Sequence, residues 1–315
     1  MKTYSSVKKD DSENTSIVPY IPMGLAKVRT SIQVTDKILL ERAEYYFNKG
    51  FVSLNSSQLD KGTENYSHLI LNDPKYLVKN KFAFKVKNSL HDYFEAIDYF
   101  SKAIMIYESY TIAYYCRGLA KYELKAFQGA IDDYTKVTDI DPNDSIAYII
   151  RASAKFEMKD FQGSVEDNTK AIEIDPEYSN SYYNRGIARH ELKEYQRAIE
   201  DFTKAILLDP NDTFAYNNRG VIKSELRDYS GAKEDFTRAL EINPDFAFAL
   251  NNRGVARFKL KEFKGAIEDY VKALEIDPNY SNAYFNLIEV KEFYNNDDET
   301  VNNHISNSLK KINEE

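Results

Sequence analysis

Asparagine recurs along this chain at an interval that could build a binding surface. Four asparagines follow one another at intervals of 34 residues, and a fifth lies earlier in the same register. They are Asn184, Asn218, Asn252 and Asn286, and the earlier one is Asn48. A carboxamide has two donor hydrogens and an acceptor oxygen, so such a row can satisfy the backbone groups of an extended peptide irrespective of its sequence. Asparagine is a mediocre helix former, which favours a binding role. The alternatives, that these residues cap turns or belong to a duplicated ancestral unit, stay open.

Arginine and aspartate form a second periodic set, in which each arginine is followed 16 residues later by an aspartate. The pairs are Arg117 with Asp133, Arg151 with Asp167, Arg185 with Asp201, Arg219 with Asp235 and Arg253 with Asp269. If each aspartate paired with the next arginine instead, Arg117 would face Tyr99 and Asp269 would face Leu287. Pairing within one interval leaves no residue unmatched. We therefore predict a structural Arg–carboxylate contact there, in preference to a ligand site.

Patterns that support catalysis or metal binding are absent from the sequence. His68, His91, His190 and His304 occur singly, and no nucleophile elbow or phosphate loop is present. The single cysteine, Cys116, excludes an internal disulfide, fits a reducing compartment and is interpreted as a small filler residue. We predict a protein that is not an enzyme, with no cofactor, no metal and no evident small-molecule substrate.

The charge balance and the apolar stretches exclude further classes. A formal net charge of −8 weighs against a nucleic-acid or anionic-membrane surface, because phosphate binding needs clustered Lys and Arg. The apolar stretches are shorter than the roughly 20 residues of a membrane-spanning helix. Residues 1–15 lack the apolar run of a secretory signal. The expectation is a cytoplasmic protein.

The elements that must position the periodic residues repeat at the same interval. Asp-Pro or Asn-Pro dipeptides begin at Asp141, Asp175, Asp209, Asn243 and Asp277, and Asp73-Pro74 lies in the same register. Seven units fit this period: 43–76, 77–110, 111–144, 145–178, 179–212, 213–246 and 247–280. Each clear unit reads as two amphipathic helices. Small residues stand where the helices cross, and aromatic residues flank them. One such pair cannot cover its own apolar face, so neighbouring units must stack.

The segment YYNRGIARHELKEYQRAIEDFTKAILLDPND at 182–212 shows the pattern in full: Tyr, Gly, an aromatic residue, Ala, a second ring, Ala and Pro. It resembles the tetratricopeptide repeat (TPR) family over 43–280, most specifically over 111–280. The resemblance implies an all-α, right-handed superhelical solenoid of antiparallel helix pairs, with the first helix of each pair lining a concave groove.

Three regions depart from the regular array. Residues 1–35 read as a flexible N-terminal arm, and the array is assigned to 36–280. Residues 281–315 read as C-terminal capping helices, whose apolar stripe consists of Val301, Ile305, Leu309 and Ile312. The KFAFKVK segment of unit 77–110 alternates like a strand, although a helix is favoured there. In unit 145–178, Ser164 and Asn168 replace alanine and an aromatic ring, so we expect this unit to be the weakest of the stack.

The resemblance implies that the second, sixth, ninth and thirteenth places of each first helix face the groove. Asn184, Asn218, Asn252 and Asn286 then form a row that resembles the asparagine ladder in the TPR superhelix of the protein O-GlcNAc transferases. The neighbouring groove residues are Asn217 and Asn251 at the fifth place, Ile187, Val221 and Val255 at the ninth, and Phe214 and Phe248 at the second. The lysines with which TPR co-chaperones grip a C-terminal carboxylate are missing from the matching positions.

We therefore predict a protein–protein interaction scaffold that binds an extended peptide or a partner helix in the groove. A self-associating structural scaffold is the alternative, and an RNA-binding helical repeat is disfavoured by the acidic balance. The sequence leaves the partner and the oligomeric state open.

Overall fold

The computed structural model describes residues 39, 42–50 and 90–293. In these residues the chain forms thirteen helices and no strand. The helices are α1 (42–50), α2 (Leu90–Ile106), α3 (Thr111–Glu123), α4 (Phe127–Ile140), α5 (Ser145–Glu157), α6 (Phe161–Ile174), α7 (Ser179–Glu191), α8 (Tyr195–Leu208), α9 (Thr213–Glu225), α10 (Tyr229–Ile242), α11 (Ala247–Lys259), α12 (Phe263–Ile276) and α13 (Ser281–Phe293). Each helix packs on the next in sequence from α2 onward. The predicted all-α superhelical solenoid of helix pairs is confirmed.

The starts of several helices are fixed by aspartate side chains. Asp144 and Asp212 accept hydrogen bonds from backbone N–H groups in the first turns of α5 and α9. Asp160 and Asp228 do the same for α6 and α10. These bonds satisfy N–H groups that have no partner inside the helix. The capping aspartates recur every second period, and the helices after Tyr178 and Glu194 start in the same register without a side-chain cap.

The turn between the two helices of a pair contains a basic residue in the left-handed backbone region. These residues are Lys125, Lys159, Lys193, Arg227 and Lys261, with φ between 59° and 65°. The N–H that follows bonds back across the turn, as from Ala126 to the Lys121 carbonyl at 2.8 Å. The left-handed conformation is usual for glycine and costs other residues roughly 1 kcal/mol. Each turn therefore carries a small local strain.

A ring from the second helix lies directly against the backbone of the first helix in most pairs. A Cβ added to Gly118 would lie 2.5 Å from the ring of Tyr134, and one added to Gly220 would lie 2.7 Å from the ring of Phe236. Both rings are at most 1% exposed. A Cβ is thus excluded at Gly118 and Gly220 unless the ring moves, whereas at Gly186 it would lie 3.1 Å from the ring of Phe202 and need a smaller shift. Burial of the ring supplies much of the packing energy of the pair.

The pair formed by α5 and α6 lacks this ring. Asn168 takes its place, fully buried, and Ala152 stands where the other pairs have glycine. The Asn168 Nδ2 donates to the Ser164 carbonyl at 2.9 Å, whereas the Asn168 Oδ1 has no hydrogen-bond partner. The Oγ of Ser181, buried at the start of α7, is also without a partner. A polar layer therefore interrupts the apolar core between α6 and α7, where the sequence predicts the weakest unit.

Helix α1 packs on α2 as a first helix packs on its second helix. A Cβ on Gly50 would lie 2.9 Å from the ring of Phe100, which matches the approach of Gly118 to Tyr134. The contacts favour a single helix pair, whose two helices are separated in sequence by residues 51–89.

The sequence analysis had placed these two helices in successive units, 43–76 and 77–110, and the number of units before residue 111 stays a prediction. The KFAFKVK segment, the N-terminal arm 1–35 and the stripe at Val301, Ile305, Leu309 and Ile312 lie outside the described residues. Within the described residues, no helix combines the length and the apolar composition that crossing a membrane requires.

Candidate binding groove

The asparagine row lies between successive first helices, where it forms hydrogen bonds from one helix to the next. The Nδ2 of Asn252 donates to the Oδ1 of Asn217 at 3.2 Å, and the Nδ2 of Asn286 donates to the Oδ1 of Asn251 at 2.9 Å. At the start of this series, the Nδ2 of Asn218 donates to the hydroxyl of Tyr183 at 3.1 Å. Each sixth-place asparagine thus contacts the fifth place of the preceding first helix.

These bonds use part of the hydrogen-bonding capacity that the sequence assigned to a ligand. Asn217 and Asn251 are buried, and Asn251 also donates to the Oδ1 of Asn252 at 3.4 Å. A carboxamide that donates one hydrogen still has a second hydrogen and an oxygen. The Asn218 and Asn286 carboxamides each make a single such bond, so they keep open capacity. The row therefore stabilises the packing of successive first helices and is also a candidate surface for ligand contact.

Asn184 differs from the later members of the row. The preceding first helix has Ile149 at the fifth place, so no polar side chain is available there. Asn184 is only 7% exposed. Its carboxamide is the least accessible of the four but has the largest open hydrogen-bonding capacity.

Four aromatic rings form a continuous row beside the asparagines. The ring row, as it is called below, consists of Phe214, Phe246, Phe248 and Tyr280. Successive ring centroids are 5.3, 6.1 and 5.1 Å apart. Phe214 is 55% exposed and Phe248 is 50% exposed, although both are large and apolar. Ring-to-ring contact holds the row in place and leaves its outer side open to solvent.

The structure adds Phe246 and Tyr280 to the residues predicted from the sequence. Both stand at the thirty-fourth place, in the loop before a first helix. The sequence carried a signal, since Tyr110 and Tyr178 occupy the same place in earlier units. That place was overlooked because it lies outside the helical periodicity that defined the predicted groove.

The ninth-place residues fill the space beneath the open surface. Ile187, Val221 and Val255 are all half-buried and pack against apolar clusters of their own or neighbouring pairs. Their exposed parts add apolar area beside the asparagines. By helical periodicity the predicted groove residues share one side of the first helices, called the groove face below.

The loops and first turns that border the groove face are acidic. The five stretches 141–150, 175–184, 209–218, 243–252 and 277–286 contain no Lys, Arg or His. They carry eight acidic residues, which are Asp141, Asp144, Asp175, Glu177, Asp209, Asp212, Asp245 and Asp277. These stretches also contain the ring row and Asn184, Asn218, Asn252 and Asn286.

Two tyrosines of the groove have raised pKa values, to which these carboxylates contribute. Burial raises the pKa of Tyr280 to about 12, with a further upward contribution from the Asp277 carboxylate. Burial also raises the pKa of Tyr183, and Asp212 adds to the shift. Both hydroxyls are therefore protonated at neutral pH, so they can donate as well as accept hydrogen bonds. The carboxylates of the loops are close enough to act electrostatically on the groove.

The arginines and aspartates lie on the opposite side of the first helices, and the predicted contact within a helix pair is confirmed. Arg185 donates from Nε to Asp201 at 3.0 Å and from a terminal nitrogen at 2.7 Å. Its other terminal nitrogen donates to the Thr169 hydroxyl of the preceding pair at 3.1 Å. Arg189 completes the set with a 2.8 Å contact to Asp201.

The same arrangement recurs in the other four pairs, where the cation four residues after the arginine is Lys121, Lys155, Lys223 or Arg257. The second cation and the hydroxyl contact to the preceding pair were not predicted from the sequence. Because the aspartates are almost fully buried and the arginines bind them with two nitrogens, the arginines are structural and are not available to a ligand.

Cys116 is buried, and burial raises the pKa of its thiol to about 12. The thiol is therefore protonated and unreactive at neutral pH, as expected for a filler residue. His190 lies near the C-terminal end of α7. Its Nε2 is 3.1 Å from the carboxylate of Glu225, which ends α9.

Comparisons with known proteins agree with the architecture. The family model described as "Tetratricopeptide repeat" matches residues 179–212, 213–246 and 247–280. No curated protein matches the sequence. The crystal structure of MamA protein matches with a TM-score of 0.50 at 26% identity, covering 54% of this chain and 93% of MamA. YrrB, described as a TPR protein with an unusual peptide-binding site, matches with a TM-score of 0.50 at 22% identity, covering 59% of this chain and 96% of YrrB.

Proposed function

The chain is a tetratricopeptide-repeat protein, and we propose that its groove face binds an extended peptide segment of a partner protein, so that the chain serves as a non-enzymatic interaction scaffold. The observation that carries this proposal is the ring row. Two phenylalanines that are half exposed lie within 6.1 Å of a common neighbouring ring, Phe246, and beside polar amides. An exposed apolar surface rimmed by polar groups is typical of a binding site.

The asparagines supply the polar part of the proposed site. Asn218 and Asn286 keep donor and acceptor groups beyond those that bond to neighbouring helices, and Asn184 keeps both. An extended peptide has unpaired N–H and C=O groups along its length, and each buried one needs a partner. Rings that bind side chains and amides that bind the backbone together suit a peptide without regular secondary structure. The peptide-binding description of YrrB, whose fold this chain shares, fits the same proposal.

Residues Ile187, Val221 and Val255, with Asn217 and Asn251, form the floor of the proposed site. The floor is half-buried or buried, and its two amides accept hydrogen bonds from Asn252 and Asn286. We expect the floor to set the shape of the groove, whereas the ring row and the exposed amides contact the ligand.

The proposal can be tested with peptides selected by the full chain from a library of displayed random sequences. The dissociation constant of the best peptide is then measured for the chain and for a Phe214→Ala, Phe248→Ala variant. If the peptide covers both rings, loss of about 1–1.5 kcal/mol for each ring raises the dissociation constant about 50-fold.

The matched control is Leu207→Ala, because Leu207 is 71% exposed on the second helix α8 and lies outside the groove face. We expect no change in affinity for this variant. A selected peptide that binds the phenylalanine variant as tightly as the original chain would contradict the proposal. The phenylalanine pair is preferred to an Asn184, Asn218, Asn252→Ala variant, which removes helix-to-helix hydrogen bonds and thus confounds stability with binding.

A further inference from the structure

The charge and the ring row together restrict the chemistry of the partner. We infer that the groove face selects an extended segment in which Lys or Arg side chains accompany apolar residues, and that it rejects acidic segments. This inference rests on the proposed function and specifies the ligand of the same site. Its starting point is the uniform acidity of the five loop-and-helix stretches that form the groove face.

The acidic residues lie close in sequence to the residues of the ring row. Asp245 precedes Phe246, Asp212 lies two residues before Phe214, and Asp277 lies three residues before Tyr280. Asp209, Asp245 and Asp277 are exposed. A ligand that covers the ring row therefore brings its own charges close to these carboxylates, which are only partly screened at such range.

The basic residues of the same repeats are directed elsewhere. Arg219 and Lys223 bind the buried carboxylate of Asp235 on the side that faces the second helix. Arg238 pairs with Glu241 on the exposed side of α10. The field along the ring row thus comes from carboxylates that no cation within the stretches 209–218, 243–252 and 277–286 offsets.

Exposed rings give a cation a second favourable contact. A Lys ammonium or an Arg guanidinium over the face of Phe214 or Phe248 is attracted by the ring quadrupole. Its alkyl stem covers apolar surface at the same time. An acidic side chain gains neither contact and meets repulsion from the loops. Charge and ring geometry therefore favour the same type of ligand.

The test uses two synthetic peptides with the same phenylalanine and proline positions, one with lysine and one with glutamate at every remaining position. Their dissociation constants for the full chain are measured at low and at physiological salt. We expect the lysine peptide to bind at least tenfold more tightly than the glutamate peptide, and its affinity to fall as salt is raised.

A charge-neutralised variant tests whether the loop carboxylates cause the preference for the lysine peptide. The variant combines Asp209→Asn, Asp245→Asn and Asp277→Asn. It keeps the side-chain oxygens of residues 209 and 277 that accept backbone N–H groups, and the loop oxygen at Asn243 is untouched. We expect the dissociation constant of the lysine peptide to rise about tenfold, which is about a twofold loss for each exposed charge. The matched control neutralises Glu200, Glu234 and Glu268, which are exposed on the second helices, and we expect it to leave the affinity unchanged.

The outcomes separate this inference from the proposed function. Equal affinity for both peptides, with both weakened by Phe214→Ala and Phe248→Ala, overturns the charge selectivity and supports the peptide groove. Equal weakening by the loop variant and by the second-helix control also overturns the selectivity, because the effect is then one of net charge. A lysine peptide that fails to bind, or a dimer of the chain that the phenylalanine variant dissociates, overturns the inference as well.

Discussion

Replacing Asn168 by phenylalanine tests the packing rule that links each buried ring to the residue opposite it. In the regular pairs the ring lies so close to the first helix that a Cβ on glycine would come within 2.5 Å of Tyr134 or Tyr270. In α5 the opposing residue is Ala152, which has that Cβ. A phenylalanine at 168 alone should therefore clash with Ala152, and overpacking costs about 1–3 kcal/mol. This cost cancels the gain from burying the ring.

The double variant Ala152→Gly, Asn168→Phe removes the clash. Burial of the ring contributes about 1.5–3 kcal/mol. Loss of the Asn168 Oδ1, which is buried without a partner, removes a penalty of about 1–3 kcal/mol. Glycine in a helix costs about 1 kcal/mol relative to alanine. We expect a net stabilisation of about 2–3 kcal/mol for the double variant, a smaller stabilisation for Asn168→Phe alone, and a loss of about 1 kcal/mol for Ala152→Gly alone.

The four proteins of this double-mutant cycle are compared by urea unfolding and by amide hydrogen exchange of α5 and α6. Exchange is needed because repeat arrays can unfold in parts, so that one global free energy is not sufficient. The expected coupling energy equals the overpacking cost that Ala152→Gly relieves, about 1–3 kcal/mol, which is in the range measured for residues in contact. If Asn168→Phe alone stabilised α6 as much as the double variant does, the reasoning from ring and glycine would be refuted.

Three further predictions concern the recurring residues. Arg219→Ala should lower the unfolding free energy by about 3 kcal/mol, because it breaks a buried two-nitrogen contact to Asp235. Peptide affinity should stay intact. Unchanged stability together with lost peptide binding would contradict the structural role of this arginine. Lys193→Gly should raise stability by about 0.5–1 kcal/mol in urea unfolding, because φ at 193 is 62°; a loss would show that the turn is unstrained. Raised tyrosine pKa values, to about 12 for Tyr280, mean that only the unfolded chain ionises just above pH 10. Stability should therefore fall from pH 10 upward, and less steeply in Tyr280→Phe, as followed by circular dichroism; identical slopes would contradict this.

Much of the fold could be predicted because each periodic residue makes its main contact within its own helix pair. The loop aspartates cap helices, the glycines admit rings, and the arginines find their aspartates within one pair. None of these contacts depends on knowing how distant parts of the chain meet. The Arg–Asp assignment in particular followed from counting which residues would be left unmatched.

The pairing of α1 with α2 could not be obtained in this way. Gly50 and Phe100 are 50 residues apart, which is one 34-residue period more than the 16 residues that separate Gly118 from Tyr134. A periodic pattern is unchanged when one whole period is inserted, so the sequence fits two units as well as one pair. Only the contact between the ring and the glycine distinguishes them.

The asparagine row shows a different limit. Its position on one side of the first helices is predicted from helical periodicity alone. The helix-to-helix bonds depend on the fifth place of the preceding unit, where Tyr183, Asn217 and Asn251 supply acceptors. Periodicity along one helix says nothing about such a neighbour. The sequence therefore could not show which carboxamide groups bond to the next helix and which stay open to a ligand.

Comparison of equivalent positions indicates which groove residues exceed the needs of packing. At the second place, Ile112 and Ile146 are 3% exposed and complete the core of the N-terminal pairs. At the same place in later pairs, Phe214 and Phe248 are half exposed. An isoleucine is thus sufficient for the stack, and the larger rings extend beyond it into solvent at a cost in exposed apolar surface. Packing accounts for the isoleucines but not for the exposed rings, and a ligand that covers the rings would remove this cost. We therefore expect the groove to bind its partner along α9 and α11, and not along α3 and α5, whose open face is acidic but lacks the ring row.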